Sequence, residues 1–226
     1  SARDAVQALL DANVESITIS LLHAYANPSH ERQLKSIIQS LAPNMPVSVS
    51  SEILPEFREY ERTLVTVMNA YVRPAMRNYL ANFEAKLGEL HFKPTVNIVR
   101  SDGGLMSVQR AADSPVYTML SGPAGGVSGA AFVSGLAGHP NALGFDMGGT
   151  STDVSLIQNG EPTISRQTSL GYYPIKIPSV EVHSVGAGGG SIAHVPMTGA
   201  LRVGPQSAGA MPGPACYGHG GAEPTV

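Results

Sequence analysis

The sequence predicts an α/β fold in two differently built parts, and three observations carry that prediction. Helical and strand-like patterns alternate up to about Arg100, the order expected of a layered, parallel sheet. Most of the charged residues lie in that first stretch. Of the 25 glycines, every one but Gly88 lies beyond it, so the second part reads as strands joined by tight turns. A length of 226 residues suits one large domain or two small ones, and 42% apolar residues against 14% charged residues supply a packed core.

Along the first part, Ala2, Val6, Leu9 and Leu10 recur at helical spacing, with Asn13 as the stop. Ile17, Ile19 and Leu21 alternate with Thr18 and Ser20 as a strand. Asn27-Pro28 supplies an N-cap and a first-turn proline for a helix whose apolar face is Leu34, Ile37, Ile38 and Leu41. Pro43 and Pro46 end that helix, and Val47 and Val49 open a second strand. From Pro55 a much longer helix is expected, because Phe57, Tyr60, Leu64, Met68, Tyr71, Met76, Tyr79, Phe83 and Leu87 keep near-helical spacing. Pro74 falls inside it and predicts a kink. Such a helix is either a connector between domains or an ordinary core helix. Near its start, Glu59, Glu61 and Arg62 read either as a solvated face with weak i,i+3 pairing or as part of a cleft.

In the second part, Val96, Ile98 and Arg100 alternate into the turn Asp102-Gly103-Gly104. Leu143 to Phe145 run into Asp146-Met147-Gly148-Gly149-Thr150, and the chain resumes as Val154, Leu156 and Ile157. Asn159-Gly160 is a two-residue hairpin signal, with Thr163 and Ile164 beyond it. Three consecutive antiparallel strands are therefore expected.

Composition narrows function. Net charge is −3 and the basic residues do not cluster, which argues against a nucleic-acid partner. No apolar run approaches the roughly 20 residues of a membrane span, and the start shows no basic-then-apolar leader. The one cysteine, Cys216, excludes an internal disulfide framework and fits a reducing compartment. The expectation is a soluble, cytoplasmic chain without a membrane partner.

The chemistry concentrates in the turn after Phe145. From Phe145 to Asp153 stand two glycines, three hydroxyl residues and two carboxylates. Glycines leave backbone N–H groups open to an anion, and Thr150, Ser151 and Thr152 add hydroxyl donors suited to phosphate oxygens. Asp146 and Asp153 are placed to hold Mg²⁺ or its waters, or to orient a nucleophile. The alternative is a purely structural hydrogen-bonded turn. Other nucleotide-binding designs are missing. Lys176 is the only lysine of the glycine-rich part and no glycine loop leads into it, which excludes a P-loop. No G-x-G-x-x-G follows a strand and opens a helix. Gly126-Val127-Ser128-Gly129-Ala130 approaches a nucleophile elbow but ends in alanine.

Three other stretches carry weaker signals. Ser121 to Gly126 reads as a loop opening a helix, either an anion site or tight packing. Val185 to Ser191 is either a mobile surface loop or a wrap around phosphate or substrate. Cys216 and His219, with His183 and His194, have in principle the ligand types for zinc, although their spacing is wide.

Asp146-Met147-Gly148-Gly149-Thr150-Ser151-Thr152-Asp153 resembles the second phosphate motif of the actin, Hsp70 and sugar-kinase superfamily. Further stretches narrow the likeness: Glu59-Tyr60-Glu61-Arg62-Thr63, Asn69-Ala70-Tyr71, Ser101-Asp102-Gly103-Gly104, Ser121 to Gly126 and Val185 to Ala193. With Val203-Gly204-Pro205, Ser207-Ala208-Gly209-Ala210 and Pro212 to Tyr217, the chain resembles the hydantoinase A/oxoprolinase family over nearly its whole length. The resemblance implies a ribonuclease H-like (actin/Hsp70-like ATPase) fold. Residues 1–90 would be the C-terminal part of a first lobe with the long connecting helix, and 91–226 the N-terminal part of a second lobe with a phosphate-binding hairpin.

It also implies that ATP and Mg²⁺ activate a carbonyl or amide oxygen by phosphorylation, ahead of hydrolysis of a cyclic amide or imide such as 5-oxoproline. Alternatives are a subunit of an acetone/acetophenone-type carboxylase and a non-catalytic nucleotide-binding module. A B-type partner subunit is implied as well. By the same resemblance, Asp146 and Asp153 would be catalytic, with Asp146 reaching Mg²⁺ through water. Gly148, Gly149, Thr150, Ser151 and Thr152 would bind phosphate. The family's first phosphate motif has no counterpart here, and Gly188 lies too close to Gly148 to serve the adenosine. The chain is therefore expected to be an internal piece of a longer enzyme, inactive by itself.

Overall fold

The alternation at Ile17–Ile19 and Val47–Val49 is realised as two parallel strands, β1 and β2, with Ile17 beside Val47 and Ile19 beside Val49. Helices α1 (Ala2–Asp11) and α2 (Ser29–Leu41) pack Val6 and Ile38 against these strands. Ser1 and Asp4 form a reciprocal capping box at the start of α1, and Asn13 turns the chain beyond its end at φ 54°. Pro28 occupies the N-cap of α2, one position earlier than expected, and the Asn27 side chain accepts the Ser29 N–H at 3.1 Å. After α3 (Ser50–Ile53), the long helix α4 spans Glu59–Glu89 and runs through Pro74 as one helix. It starts four residues after Pro55, because Arg58 sits at φ 83°, outside helical geometry.

This computed structural model describes residues 1–91 and 95–226. Beyond α4, β3 (Asn97–Val99) and β4 (Leu105–Ser107) form the expected hairpin around Asp102-Gly103-Gly104, and α5 (Val108–Asp113) follows. Leu80 of α4 packs with Met106 and Ala111. A one-turn 3₁₀ helix at Pro115–Thr118 leads into α6 (Ser121–Leu136). The antiparallel meander comes next: β5 (Ala142–Met147), β6 (Thr152–Gln158) and β7 (Glu161–Pro162). Asn159 and Gly160, at φ 55° and 83°, make the two-residue turn between β6 and β7. The third strand is shorter than the pattern suggested and precedes Thr163. The remaining strands are β8 (Ile164–Ser165), β9 (Thr168–Leu170), β10 (Tyr173–Ile175), β11 (Ser179–Val180), β12 (Val182–Val185), β13 (Ser191–His194) and β14 (Arg202–Ser207).

The chain divides into two compact units, Ser1–Ser121 with Arg166–Ser179, and Gly122–Ser165 with Val180–Val226. Position 90/91, the division drawn from the sequence, lies inside the first unit, because the β3–β4 hairpin and α5 pack on α4. Residues 92–94, next to that position, lie outside the described residues. The hairpin of β9 and β10 returns to the first unit, where Ile175 and Ile177 join Ile53, Leu54, Val65 and Val116 in a second core cluster. β1 and β2 pair in parallel. The sheet of the second unit is antiparallel, in the order β12-β6-β5. Among the described residues, no helix is long and apolar enough to cross a membrane.

The charges at the start of α4 turn out to be structural. Arg62 and Glu31 are both fully buried. Glu31 accepts the Leu21 N–H at 2.8 Å and the Ser50 hydroxyl at 2.7 Å on one oxygen, and the Ser51 N–H at 2.9 Å on the other. Arg62 donates to Ser50 Oγ at 3.1 Å, to the Glu56 carbonyl at 2.9 Å and to the Leu21 carbonyl at 2.8 Å. Its guanidinium also lies 5.7 Å from the Tyr25 ring centroid. Ser50 thus links the two buried charges, tying α2, α3, α4 and the end of β1 into one node. Glu59 and Glu61 remain half-buried. Arg62 belongs neither to a solvated face nor to the cavity described below.

Removing Glu31 leaves three donors of the node without their acceptor, while Arg62 keeps its own acceptors and Glu59 at 3.6 Å. Glu31→Ala is expected to destabilise the protein by about 3–5 kcal/mol in urea unfolding, through the unmet donors of Leu21, Ser50 and Ser51. A loss below about 1 kcal/mol, the scale of an exposed pair, would contradict this reading.

Candidate functional site

The β5–β6 hairpin sets Asp146 opposite Asp153 and Met147 opposite Thr152. Cross-strand partners share one face of a sheet with Cβ atoms about 5 Å apart, so the two carboxylates stand side by side. Both line a cavity of about 220 Å³ whose other wall is α6, at Pro123, Gly126, Val127 and Ala130. Small residues allow that approach. A Cβ on Gly126 would lie 3.6 Å from an Asp146 carboxylate oxygen, and a Cβ on Gly144 would overlap the Ser155 hydroxyl. The stretch read as a loop before a helix is therefore the opening of α6 itself. Gly126 to Ala130 is mid-helix, which removes any nucleophile elbow there.

Asp153 is oriented from its other side. Ser184 on β12 is its cross-strand partner and donates its hydroxyl hydrogen to Asp153 Oδ1. Sequence reasoning missed Ser184, because Val182-His183-Ser184-Val185 carries no apolar–polar alternation.

The turn between the carboxylates is closed by the Gly148 N–H donating to the Ser151 carbonyl at 2.9 Å. The loop from Gly186 to Gly190 docks onto it mainly through backbone. Gly189 N–H donates to the Gly148 carbonyl at 2.9 Å and Gly190 N–H to the Gly149 carbonyl at 2.8 Å. A Cβ on Gly188 would lie 2.6 Å from both Gly148 O and Thr150 N. The loop is thus neither a free surface loop nor, at Gly189 and Gly190, a source of open donors. The carbonyls of Gly148, Gly149 and Ser151 are thus engaged. Among the described residues, the N–H groups of Gly149, Thr150 and Ser151 have no acceptor, and all three residues are exposed. Thr152 differs from its neighbours: it is buried and its hydroxyl donates to the Ala187 carbonyl. That hydroxyl anchors the loop.

Two glycines of the turn are not demanded by the fold. Neither Gly148 nor Gly149 has φ in the left-handed region, and a Cβ on Gly149 would meet nothing within 4 Å. The open space in front of them, beside three unpaired N–H groups, suits an oxyanion. Mg²⁺ is commonly held by one or two carboxylates, with water and phosphate oxygens completing an octahedron. Asp146 and Asp153 fit that donor set. Zinc does not fit the other candidates. Among the described residues, no group of three or more His, Cys, Asp or Glu could hold a metal, with Cys216 exposed, His183 on β12 and His194 on β13.

A sequence model of the family described as hydantoinase/oxoprolinase matches residues 62–226, and one for the hydantoinase/oxoprolinase N-terminal region matches residues 1–42. The 5-oxoprolinase of Saccharomyces cerevisiae is 39% identical over 225 residues, covering 98% of this chain and 17% of that protein. A crystal structure of ATP-dependent caprolactamase from Pseudomonas jessenii superposes with a TM-score of 0.87 at 38% identity, covering 100% of this chain and 33% of the other. A nucleotide-free structure of acetone carboxylase, from work on ATP-dependent acetone carboxylation, superposes with a TM-score of 0.73 at 35% identity, covering 99% and 32%. The chain spans about a third of the length of its curated archaeal and bacterial relatives.

Two glycine substitutions separate packing from binding. Gly188→Ala forces a Cβ into the hairpin backbone and is expected to lower the unfolding midpoint of the protein, at a cost of about 1–3 kcal/mol. Gly149→Ala is expected to leave that midpoint unchanged while weakening binding of MgATP, read by calorimetry, by about tenfold or more. Equal stability losses in the two variants would contradict the assignment.

Proposed function

Because the chain belongs to the hydantoinase/oxoprolinase family, we propose that it carries the phosphate-binding hairpin of an ATP-dependent hydrolase of the hydantoinase or 5-oxoprolinase type. The reaction is activation of the carbonyl of a cyclic amide or imide by phosphorylation, followed by hydrolysis. One observation carries this reading: paired carboxylates flank a glycine turn with three unpaired N–H groups. The ATP-dependent caprolactamase and acetone carboxylase structures to which the chain is similar support the use of ATP.

In this reading Gly149, Thr150 and Ser151 receive phosphate oxygens on their N–H groups, and Gly148 keeps the approach free of side chains. Thr152 fixes the loop behind the turn. Asp146 reaches Mg²⁺ through water, and Asp153, held by Ser184, orients the metal's water shell or the reacting oxygen. Bound MgATP supplies the phosphoryl group, and the residues supply position and charge compensation. The fold belongs with the actin/Hsp70-like ATPases. The first compact unit, with the long helix α4, is the end of a first lobe, and the second unit, with the hairpin, the beginning of another. A B-type subunit completes the enzyme in the cytoplasm. The likeness to acetone carboxylase favours a second reading, in which the same hairpin activates a ketone for carboxylation.

In the whole protein, Asp146→Asn is expected to lower substrate-dependent ATP turnover about 10²–10³-fold, and turnover equal to wild type would refute the role of the hairpin. A panel of ε-caprolactam, 5-oxoproline, hydantoin and acetone, the last with bicarbonate, separates the two readings by which substrate stimulates ADP release. The 226 residues alone are expected to show no substrate-dependent ATP hydrolysis.

A further inference from the structure

The first compact unit holds a cavity of its own, on the side of α4 that carries Arg73 and Arg77. It measures about 370 Å³, within the range of clefts that take small molecules. Lys35 of α2, Glu52 of α3, Arg73 and Arg77 of α4, and Arg110 and Asp113 of α5 all line it. Four basic side chains thus gather around two carboxylates, in a chain whose net charge is −3. A concave wall with such a local excess of positive charge concentrates anions.

Both carboxylates are already matched inside the protein. Glu52 accepts Lys35 Nζ on its two oxygens, at 2.9 and 2.7 Å. Asp113 accepts Arg73 Nη2 at 2.6 Å on one oxygen and Gln109 Nε2 at 2.8 Å on the other. Arg73 also donates to the Val47 carbonyl, which fixes its guanidinium in the wall. Its Nε–H is buried and has no acceptor among the described residues. Arg77 and Arg110 remain. Both are exposed, and among the described residues neither side chain makes a hydrogen bond or an ion pair; Arg77 acts on Asp113 only through space. Spacing of i,i+4 puts Arg77 on the same face of α4 as Arg73. Ser114, 2% exposed, adds to the lining a hydroxyl that has no partner among the described residues.

We propose that this cavity, in a different unit from the hairpin, binds the phosphate group of a small, hydroxylated phosphate monoester. Such a group carries a charge of about −1.5 to −2 at neutral pH on three strong acceptor oxygens. That charge matches the two positive charges left over once Glu52 and Asp113 are paired. The guanidinium forks of Arg77 and Arg110 meet phosphate oxygens in pairs, and the Ser114 hydroxyl supplies a further hydrogen. A single carboxylate would leave one of the two charges unmatched. The cavity has room beyond a phosphate ion, and the amides of Gln39 and Asn44 in the same lining suit hydroxyl groups on the organic part of the ligand.

Calorimetry on the whole protein, preloaded with MgAMP-PNP so that phosphate sites of the nucleotide are filled, tests the assignment. The probes are glycerol 3-phosphate, inorganic phosphate and succinate. One equivalent of glycerol 3-phosphate is expected to bind, more tightly than inorganic phosphate and much more tightly than succinate. The double variant Arg77→Gln/Arg110→Gln is expected to weaken it by about tenfold or more, with the unfolding midpoint and the Kd of MgAMP-PNP unchanged. Arg110→Gln alone, at an exposed position, is expected to weaken it by about threefold and decides the matter if the double variant fails to fold. Wild-type affinity in the variants, a preference for succinate, glycerol 3-phosphate no tighter than inorganic phosphate, or no saturable binding would overturn the proposal.

Discussion

The geometry of the second unit depends on a contact between two backbones. The loop from Gly186 to Gly190 lies on the β5–β6 turn so closely that a single methyl group on Gly188 would collide with it. Two N–H groups of the loop take two carbonyls of the turn. A glycine turn on its own would sample many conformations, because glycine loses the most freedom on ordering. Here the ordering is enforced by main-chain hydrogen bonds from the loop, and the N–H groups of Gly149, Thr150 and Ser151 are left without an acceptor among the described residues. The Thr152 hydroxyl on Ala187 ties the loop to the strand that leaves the turn.

That constraint explains how like charges are tolerated at the mouth of the hairpin. Asp146 and Asp153 face one another directly across the strands, an arrangement that is unfavourable in a sheet unless something positive is shared. Ser184 offsets part of the cost at Asp153. The remainder is consistent with a site built for a divalent cation and the phosphates it accompanies. The first unit contributes rigidity of another kind, through the buried Glu31–Ser50–Arg62 node beneath α4.

Much of this was legible in the sequence, for identifiable reasons. The order of helices and strands up to Val49 followed from apolar periodicity. The β5–β6–β7 meander followed from alternation broken by Asp146 to Ser151 and by Asn159-Gly160, and the candidate carboxylates were found with it. What escaped was tertiary. The docking of Gly186–Gly190 joins residues about 40 positions apart (compare Gly148 with Gly189) through main-chain atoms, which leave no residue-type signature. Arg62 reads as surface charge until Glu31 and Ser50 are brought to it. The return of Arg166–Ser179 to the first unit rests on Ile175 and Ile177, whose short alternation carries no information about which core they fill.

The central claim is that the turn presents Gly149, Thr150 and Ser151 N–H groups to phosphate while the glycine loop behind it stays bonded. Amide ¹H–¹⁵N NMR of the protein titrated with Mg²⁺ and a non-hydrolysable ATP analogue tests it most directly. The account predicts that those three amides shift on binding and that the amides of Gly189 and Gly190 stay largely unperturbed. Shifts centred on Gly189 and Gly190, or none at the turn under saturating nucleotide, would contradict it.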